Sequence, residues 1–280
     1  MLARLLHISR PVLWVNTVGP TLIGIWLIGE LWRWDAVAFL LWATLPFNLL
    51  IYGVNDIFDQ ETDALNSRKG GLEGARIAAS ETRGIILGIV VTNAPFLVYF
   101  AVTLPLAAIV WIAAYILVFV FYSAPPPRFK ARRFVDSISN SAYAFPLVFV
   151  PLAFGESPVW EAAIALMAWS VAKHTYDAVQ DIDEDRTAGI HTTAVYLGVR
   201  GSAVWSAAWW ALSTVGFALV SWPVAMVNAI IAGWLVISLG RNPTPLTARR
   251  LYRYSIVFPY VAGSVAGSHL VAAILLGYYP

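Results

Sequence analysis

The stretch GIILGIVVTNAPFLVYFAVTLPLAAIVWIAAYILVFVFY, residues 84–122, runs without one Asp, Glu, Lys or Arg. A membrane-crossing helix needs about 20 mostly apolar residues. This stretch holds two such runs, parted only by the Thr103-Leu104-Pro105 break. A segment apolar on every face has no polar side to offer water, so its solvent is a bilayer. Outward from it, comparable runs lie near 11–30, 36–55, 136–154, 158–176, 201–220, 222–240 and 256–277, which with 84–102 and 105–122 make nine. Composition agrees: of 280 residues, 59% are hydrophobic, 14% aromatic and only 12% charged, with a mean hydropathy of +0.70. The expected fold is an all-α integral membrane protein, a bundle of about nine transmembrane helices with a cytoplasmic active-site mouth. No connection is long enough for a separate soluble domain, so residues 1–280 read as a single membrane domain.

The formal net charge of +2 gives no bulk electrostatic case for nucleic acid as a partner. Placement says more than the total. Of 18 Lys and Arg, all but Arg33 lie before the first span, on the even-numbered connections or, for Lys173, at the span end leading into one, a side that by the positive-inside rule is cytoplasmic. That puts the N-terminus inside and the C-terminus outside in the cell membrane. The first residues, MLARLLHISRPVLWV, resemble a signal peptide, but the apolar run continues to about Leu31 without a small-residue cleavage site and reads as a retained span. With no cysteine, disulfides, thiolate metal sites and cysteine nucleophiles are excluded.

Seven of the nine aspartates fall in two short segments, NDIFDQETD (55–63) and YDAVQDIDED (176–185). On a continuing helix, Asp56, Asp59 and Asp63 form one column and Asp177, Asp181 and Asp185 another, each extending the cytoplasmic end of a span. Like charges one turn apart repel until a cation neutralises them, and a hard divalent ion taking carboxylate oxygens does this best. Magnesium suits the columns because it also keeps room for water and phosphate oxygens. Two carboxylate columns bridged by Mg2+ can hold a diphosphate and make it a leaving group. Nearby bases fit the same end: Arg128 and Lys130 after the YSAPPP turn, and Arg68, Lys69 and Arg186 just beyond the columns. Asn48, Tyr52 and Asn55 share the face of Asp59, while Ser170 and His174 share that of Asp177 and Asp181; polar groups at such depth usually face a cavity. His174 reads either as a ligand or base or as a hydrogen-bonded packing residue. Asp136, Asn140 and Tyr143 make a third polar face, which serves either function or a helix start. The two aspartate segments lie 121–122 residues apart with four spans between them, as a duplicated four-helix unit would place them.

These motifs resemble those of the UbiA-type membrane prenyltransferases, NDxxDxxxD after the second span and DxxxD or DxxxDxxxD after the sixth. The span pattern, Arg10-Pro11 and YSAPPPRFK (122–130) extend the resemblance over essentially the whole chain. It implies that Asp56, Asp59, Asp63, Asp177, Asp181 and Asp185 hold Mg2+ and are catalytic. It further implies that Asn55, Tyr122, Arg128 and Lys130 bind substrate, a prenyl diphosphate with a lipophilic acceptor; Arg68, Lys69 and His174, by their place beside the motifs, are candidates for the same substrate, and membrane lipid is a further partner. Family members with aromatic acceptors usually follow the first motif with an arginine and an Arg-Pro pair, where this chain has ALNSRKGGLEGARI (64–77). NSRKGG, YSAPPPRFKARRFVDSISN and the short length look most like the lycopene elongase branch.

The implied activity is Mg2+-dependent transfer of an allylic group, dimethylallyl first, from its diphosphate to lycopene or a related acyclic carotenoid. An aromatic acceptor, as in quinone or haem side-chain attachment, is the runner-up, and a cation transporter the reading from another class. Every Lys and Arg lies near a span edge, with Arg10 and Lys173 the deepest, so an acidic acceptor has few cations to bind. The charge asymmetry makes topology testable. Reporters fused after residues 66, 130, 188 and 246 should signal cytoplasm and those after 33, 156 and 280 the opposite side; a non-cytoplasmic signal from 66 or 188 overturns the orientation.

Overall fold

The computed structural model describes residues 2–60 and 75–278, and these are helical with no strand among them. The chain divides into two compact units, Met1–Arg128 with Phe145–Pro158, and Phe129–Ala144 with Val159–Pro280. The first holds α1 (Leu2–Ile8), α2 (Val15–Leu27), α3 (Ala36–Trp42), α4 (Leu45–Phe58), α5 (Thr82–Thr103), α6 (Leu106–Ser123) and α8 (Pro146–Ala153). The second holds α7 (Val135–Ile138), α9 (Trp160–Ala178), α10 (Ile182–Thr187), α11 (Thr193–Ala218), α12 (Trp222–Arg241) and α13 (Pro245–Leu275).

A helical segment stands at each of the nine expected places, but they are not alike. Ala36–Phe58, Ala79–Thr103, Leu106–Ser123, Trp222–Arg241 and Pro245–Leu275 are long and apolar enough to cross a membrane, by length and composition alone, whereas Pro11–Leu27 is shorter. Helices α9 and α11 have the length, but α9 carries Glu161, Lys173, His174 and Asp177. The expected span 136–154 is broken into α7, a 3-10 stretch Ser139–Ala144 and α8. Its polar residues explain the break. Ser139 Oγ and Asn140 Nδ2 both donate to the Asp136 carbonyl, and Pro146 and Pro151 bring no N–H. The last span begins eleven residues before the expected 256, at Pro245, because Arg249, Arg250 and Arg253 end an apolar run without ending a helix.

Local chemistry sets the helix ends. Pro105 forces Leu104 into extended backbone and stops α5. Thr192 caps α11 by accepting from the Val195 N–H, and Thr244 does the same for α13 from Thr247. The surface of α5 is lipid-like, with Leu87, Val90, Val98 and Val102 all more than half exposed.

Each unit has its own core. In the first, Phe47 stacks on Tyr115 at 4.3 Å between ring centroids and Phe39 on Phe100 at 4.8 Å, while the Trp42 indole N–H donates to Asn93. In the second, α9 packs along α11, and Trp169, Tyr176, Trp210 and Phe258 fill the space with α12 and α13. The approach of α9 to α11 depends on Gly216, since a Cβ there would lie 2.8 Å from Ala165 Cβ and 3.4 Å from the Glu161 carbonyl. Gly216→Val should therefore lower the melting temperature in detergent, by about 1–3 kcal/mol of overpacking. Gly233→Val, at a position with nothing within 4 Å of its Cβ, should leave it nearly unchanged. Equal melting temperatures for the two variants would contradict that close approach.

Candidate active site

The first acidic segment occupies the end of α4. Asp56, inside the helix, is fully buried, and its Oδ1 accepts from Arg10 Nη2 at 2.6 Å. Arg10 lies between α1 and the 3-10 turn Pro11–Leu13 with a positive φ of 52°, and its guanidinium also covers the Tyr52 ring at 4.5 Å. The helix stops before Asp59, which is its C-terminal cap. Asn55 Nδ2 donates both to Asp59 Oδ2 and to Ser123 Oγ, each at 2.9 Å, so the end of α6 is tied to the motif. Arg128 Nη2 stands 3.9 Å from Asp59 Oδ1, on a backbone with φ 41°. Asn55, Asp59, Ser123 and Arg128 are thus brought together. Tyr122 precedes Ser123 at the partly buried end of α6. Asp63, Arg68, Lys69 and the NSRKGG segment lie outside the described residues.

The second segment begins inside α9 and leaves it. Asp177 is held on both oxygens: Lys173 donates to Oδ2 and Ser255 of α13 to Oδ1. Helix α9 ends at Ala178, a 3-10 turn covers Val179–Asp181, and α10 restarts at Ile182. The expected single column is therefore interrupted, because 3-10 geometry winds tighter than α and turns Asp181 and Asp185 off the Asp177 face. The Asp185 carboxyl is pushed up to about 7 by burial and by the nearby Asp181 and Asp136 charges, opposed by a Thr192 hydroxyl 3.4 Å away and by His174. Lys130 sits in the 3-10 turn Phe129–Ala131, and Arg186 pairs with Asp183 at 3.8 Å on the surface.

Two polar positions are structural: Asn48, expected to face a cavity, and Asp136, for which the sequence leaves both function and a helix start open. Asn48 is fully buried and its Nδ2 donates to Thr17 Oγ1 and to the Ala43 and Thr44 carbonyls, joining α2 to α4. Asp136 is likewise buried and accepts from the Thr193 N–H and hydroxyl, capping α11. His174 Nε2 lies 3.6 Å from Asp136 Oδ2, which draws it to that cap. Ser123, Thr192 and Ser255 were not legible as partners of the motifs, since a hydroxyl at a span end has no distinguishing spacing.

Among the described residues, no three His or carboxylate side chains gather closely enough to hold a metal ion. The donor chemistry of each unit, taken by itself, nevertheless suits a hard divalent cation: the first presents carboxylate and amide oxygens at Asp59 and Asn55, and in the second Asp185, raised by burial and by the Asp181 charge, is the kind of carboxyl a cation relieves.

The fold and these motifs define a helical membrane enzyme with carboxylate-rich helix ends. Residues 17–277 match the UbiA prenyltransferase family, and the chain belongs to it. It is 35% identical over 245 residues to the lycopene elongase/hydratase of Haloarcula japonica, across 86% of this chain and 82% of that one. It is 35% identical over 264 residues to the lycopene elongase/hydratase of Haloferax volcanii, across 91% and 84%. Its fold is similar to that of a UbiA homologue from Archaeoglobus fulgidus solved with GPP and Mg2+ bound, with a TM-score of 0.62 at 20% identity over 93% of this chain and 98% of that one.

The Arg10–Asp56 pair has a direct consequence for stability. Removing one partner of a buried ion pair strands the other charge, at a cost of about 3–5 kcal/mol. Arg10→Ala should markedly lower the melting temperature of the detergent-solubilised protein, and Arg10→Ala with Asp56→Asn should recover much of it. A double variant no more stable than Arg10→Ala would mean that the pair is not what Arg10 contributes.

Proposed function

We propose that this prenyltransferase transfers a dimethylallyl group from dimethylallyl diphosphate to the terminal region of lycopene or a related acyclic carotenoid. The C–O bond to the diphosphate breaks with its electron pair leaving on oxygen, and a terminal C=C of the acceptor supplies the pair for the new C–C bond. The acceptor cation so formed then loses a proton or takes up water. No protein nucleophile is required. Mg2+, when bound, neutralises charge developing on the leaving diphosphate.

We assign the metal and diphosphate to the two acidic motifs, with Asp59, Asp63, Asp181 and Asp185 offering the oxygens, Asn55 orienting Asp59, and Asp56 and Asp177 standing behind them in their pairs with Arg10 and Lys173. Tyr122, Arg128, Lys130, Arg68 and Lys69 are assigned to the phosphates. His174 stands beside the second motif. In this reading both units work as one domain, with the motifs and N-terminus cytoplasmic and the C-terminus outside.

The observation that carries the acceptor is the commitment of the two deepest cations. Arg10 is paired with Asp56 and Lys173 with Asp177. A carboxylated aromatic acceptor needs a cation to hold it, whereas a polyene needs only apolar surface. The two curated relatives named lycopene elongase/hydratase support the same acceptor.

The test feeds purified enzyme dimethylallyl diphosphate and Mg2+ with lycopene, 4-hydroxybenzoate or dihydroxynaphthoate in parallel, and follows products by mass spectrometry. Lycopene should gain a five-carbon unit, chelator should abolish the reaction, and Mg2+ should restore it. Prenylation of an aromatic acceptor with lycopene unchanged overturns the acceptor assignment; full activity in chelator overturns the metal.

A further inference from the structure

The second acidic motif lies on an irregular piece of backbone. Between Ala178 and Ile182 the chain leaves one helix, makes a 3-10 turn and starts another, so the direction of Asp181 and Asp185 is not dictated by a continuous α-helix. A break of this kind also weakens the carbonyl hydrogen bonds around it, and those carbonyls need other donors. Helix α13 provides them. Arg249 Nη2 donates to the Gln180 carbonyl at 3.3 Å, within the break, and to Glu184 Oε1 at 2.7 Å, on the first turn of α10. Six residues further along α13, Ser255 donates to Asp177 on the near side of the break and accepts from Lys173 at 3.2 Å. The last long helix thus grips the motif before, within and after its irregular turn.

We infer that Arg249 is a positioning residue for the second acidic motif: by joining the Gln180 carbonyl to Glu184, it fixes how Asp181 and Asp185 are presented to a divalent cation. The inference rests on the assignment of those two aspartates as metal ligands. Three features separate this role from ordinary packing. Both side chains of the Arg249–Glu184 pair are close to half exposed, at 43% and 48%, and pairs so exposed stabilise a fold little. A single guanidinium nitrogen, Nη2, donates to the carbonyl and to the carboxylate at once, which ties the two sides of the break to one point. And the contact spans the break itself, whose Val179 and Ile182 stay packed in the core with Tyr176 and Trp210, so its loss loosens the polar side of the motif without opening that core.

The experiment uses the full-length enzyme in detergent as wild type, Arg249→Ala, Arg249→Lys and Asp181→Ala. Three quantities are read: melting temperature without metal, amide hydrogen exchange over residues 179–188 without metal, and Mn2+ affinity by electron paramagnetic resonance. The Mg2+ concentration giving half-maximal turnover is measured beside them. Arg249→Ala should melt within a few degrees of wild type, exchange faster over 179–188, bind Mn2+ on the order of tenfold more weakly and need correspondingly more Mg2+, with the maximal rate at saturating Mg2+ largely retained. Arg249→Lys should fall between the two. Unchanged exchange and Mn2+ affinity in Arg249→Ala overturn the inference, as does a large fall in melting temperature with a rate that no Mg2+ concentration restores. If Asp181→Ala itself binds Mn2+ and turns over like wild type, the failure lies with the metal assignment rather than with Arg249.

Discussion

Asp56 is a carboxylate with no exposed surface, carried on a helix apolar enough to cross a membrane. A charge in that position is tolerated only if a counter-charge meets it without water between them. Arg10 does so at 2.6 Å, and much of the first unit's geometry follows. To reach α4, Arg10 has to sit at a sharp change of direction, which its positive φ and the following Pro11 provide. Helix α1 is thereby laid against α4, with Leu5 and Ile8 in contact with the cluster around Leu49 and Ile85. Arg4 at the other end of α1 pairs with Glu81 ahead of α5 at 2.9 Å.

The second unit meets the same constraint differently. Its acid Asp177 takes its cation from one turn earlier on the same helix, Lys173, and adds the Ser255 hydroxyl from α13. In both units the first aspartate of the motif is matched inside the protein, and the backbone then departs from α-helix: at Asp59 as the C-terminal cap, and at Val179–Asp181 as a 3-10 turn. Helix propensity explains the stopping places only in part. Repulsion within a column of aspartates is relieved when the column is broken, so a motif spaced for a helix is held in one only as far as its charges are compensated.

The sequence carried the spans well because the bilayer imposes a single demand, apolar length, that any window of residues reveals. It misjudged 136–154, where the apolar count was satisfied but Asp136, Ser139 and Asn140 bonded to nearby backbone or to α11 in preference to a continuous helix. The acidic motifs were legible as clusters, while their partners were not. Arg10 to Asp56 is a separation of 46 residues and Ser255 to Asp177 one of 78, and no periodicity links such positions. Asn48 shows the opposite limit: its spacing placed it correctly on the face of Asp59, yet donation to Thr17 and to two carbonyls absorbs its amide in packing.

That last distinction bears on what the interior can bind. Asn93 joins Trp42 and the Pro46 carbonyl, and the Asn228 amide donates to the Trp210 carbonyl and Thr214, so these deep amides, like Asn48, tie helices to one another. Each also lowers the number of polar groups a substrate meets below the helix ends. With these amide nitrogens used in packing and the deep cations matched to Asp56 and Asp177, the unmatched charge of each unit lies at a helix end, that of α4 in the first and beyond α9 in the second, and the helices themselves offer apolar surface. A substrate suited to that division has its charge confined to a leaving group and its remaining length in hydrocarbon. An allylic diphosphate and a polyene divide their chemistry in the same way.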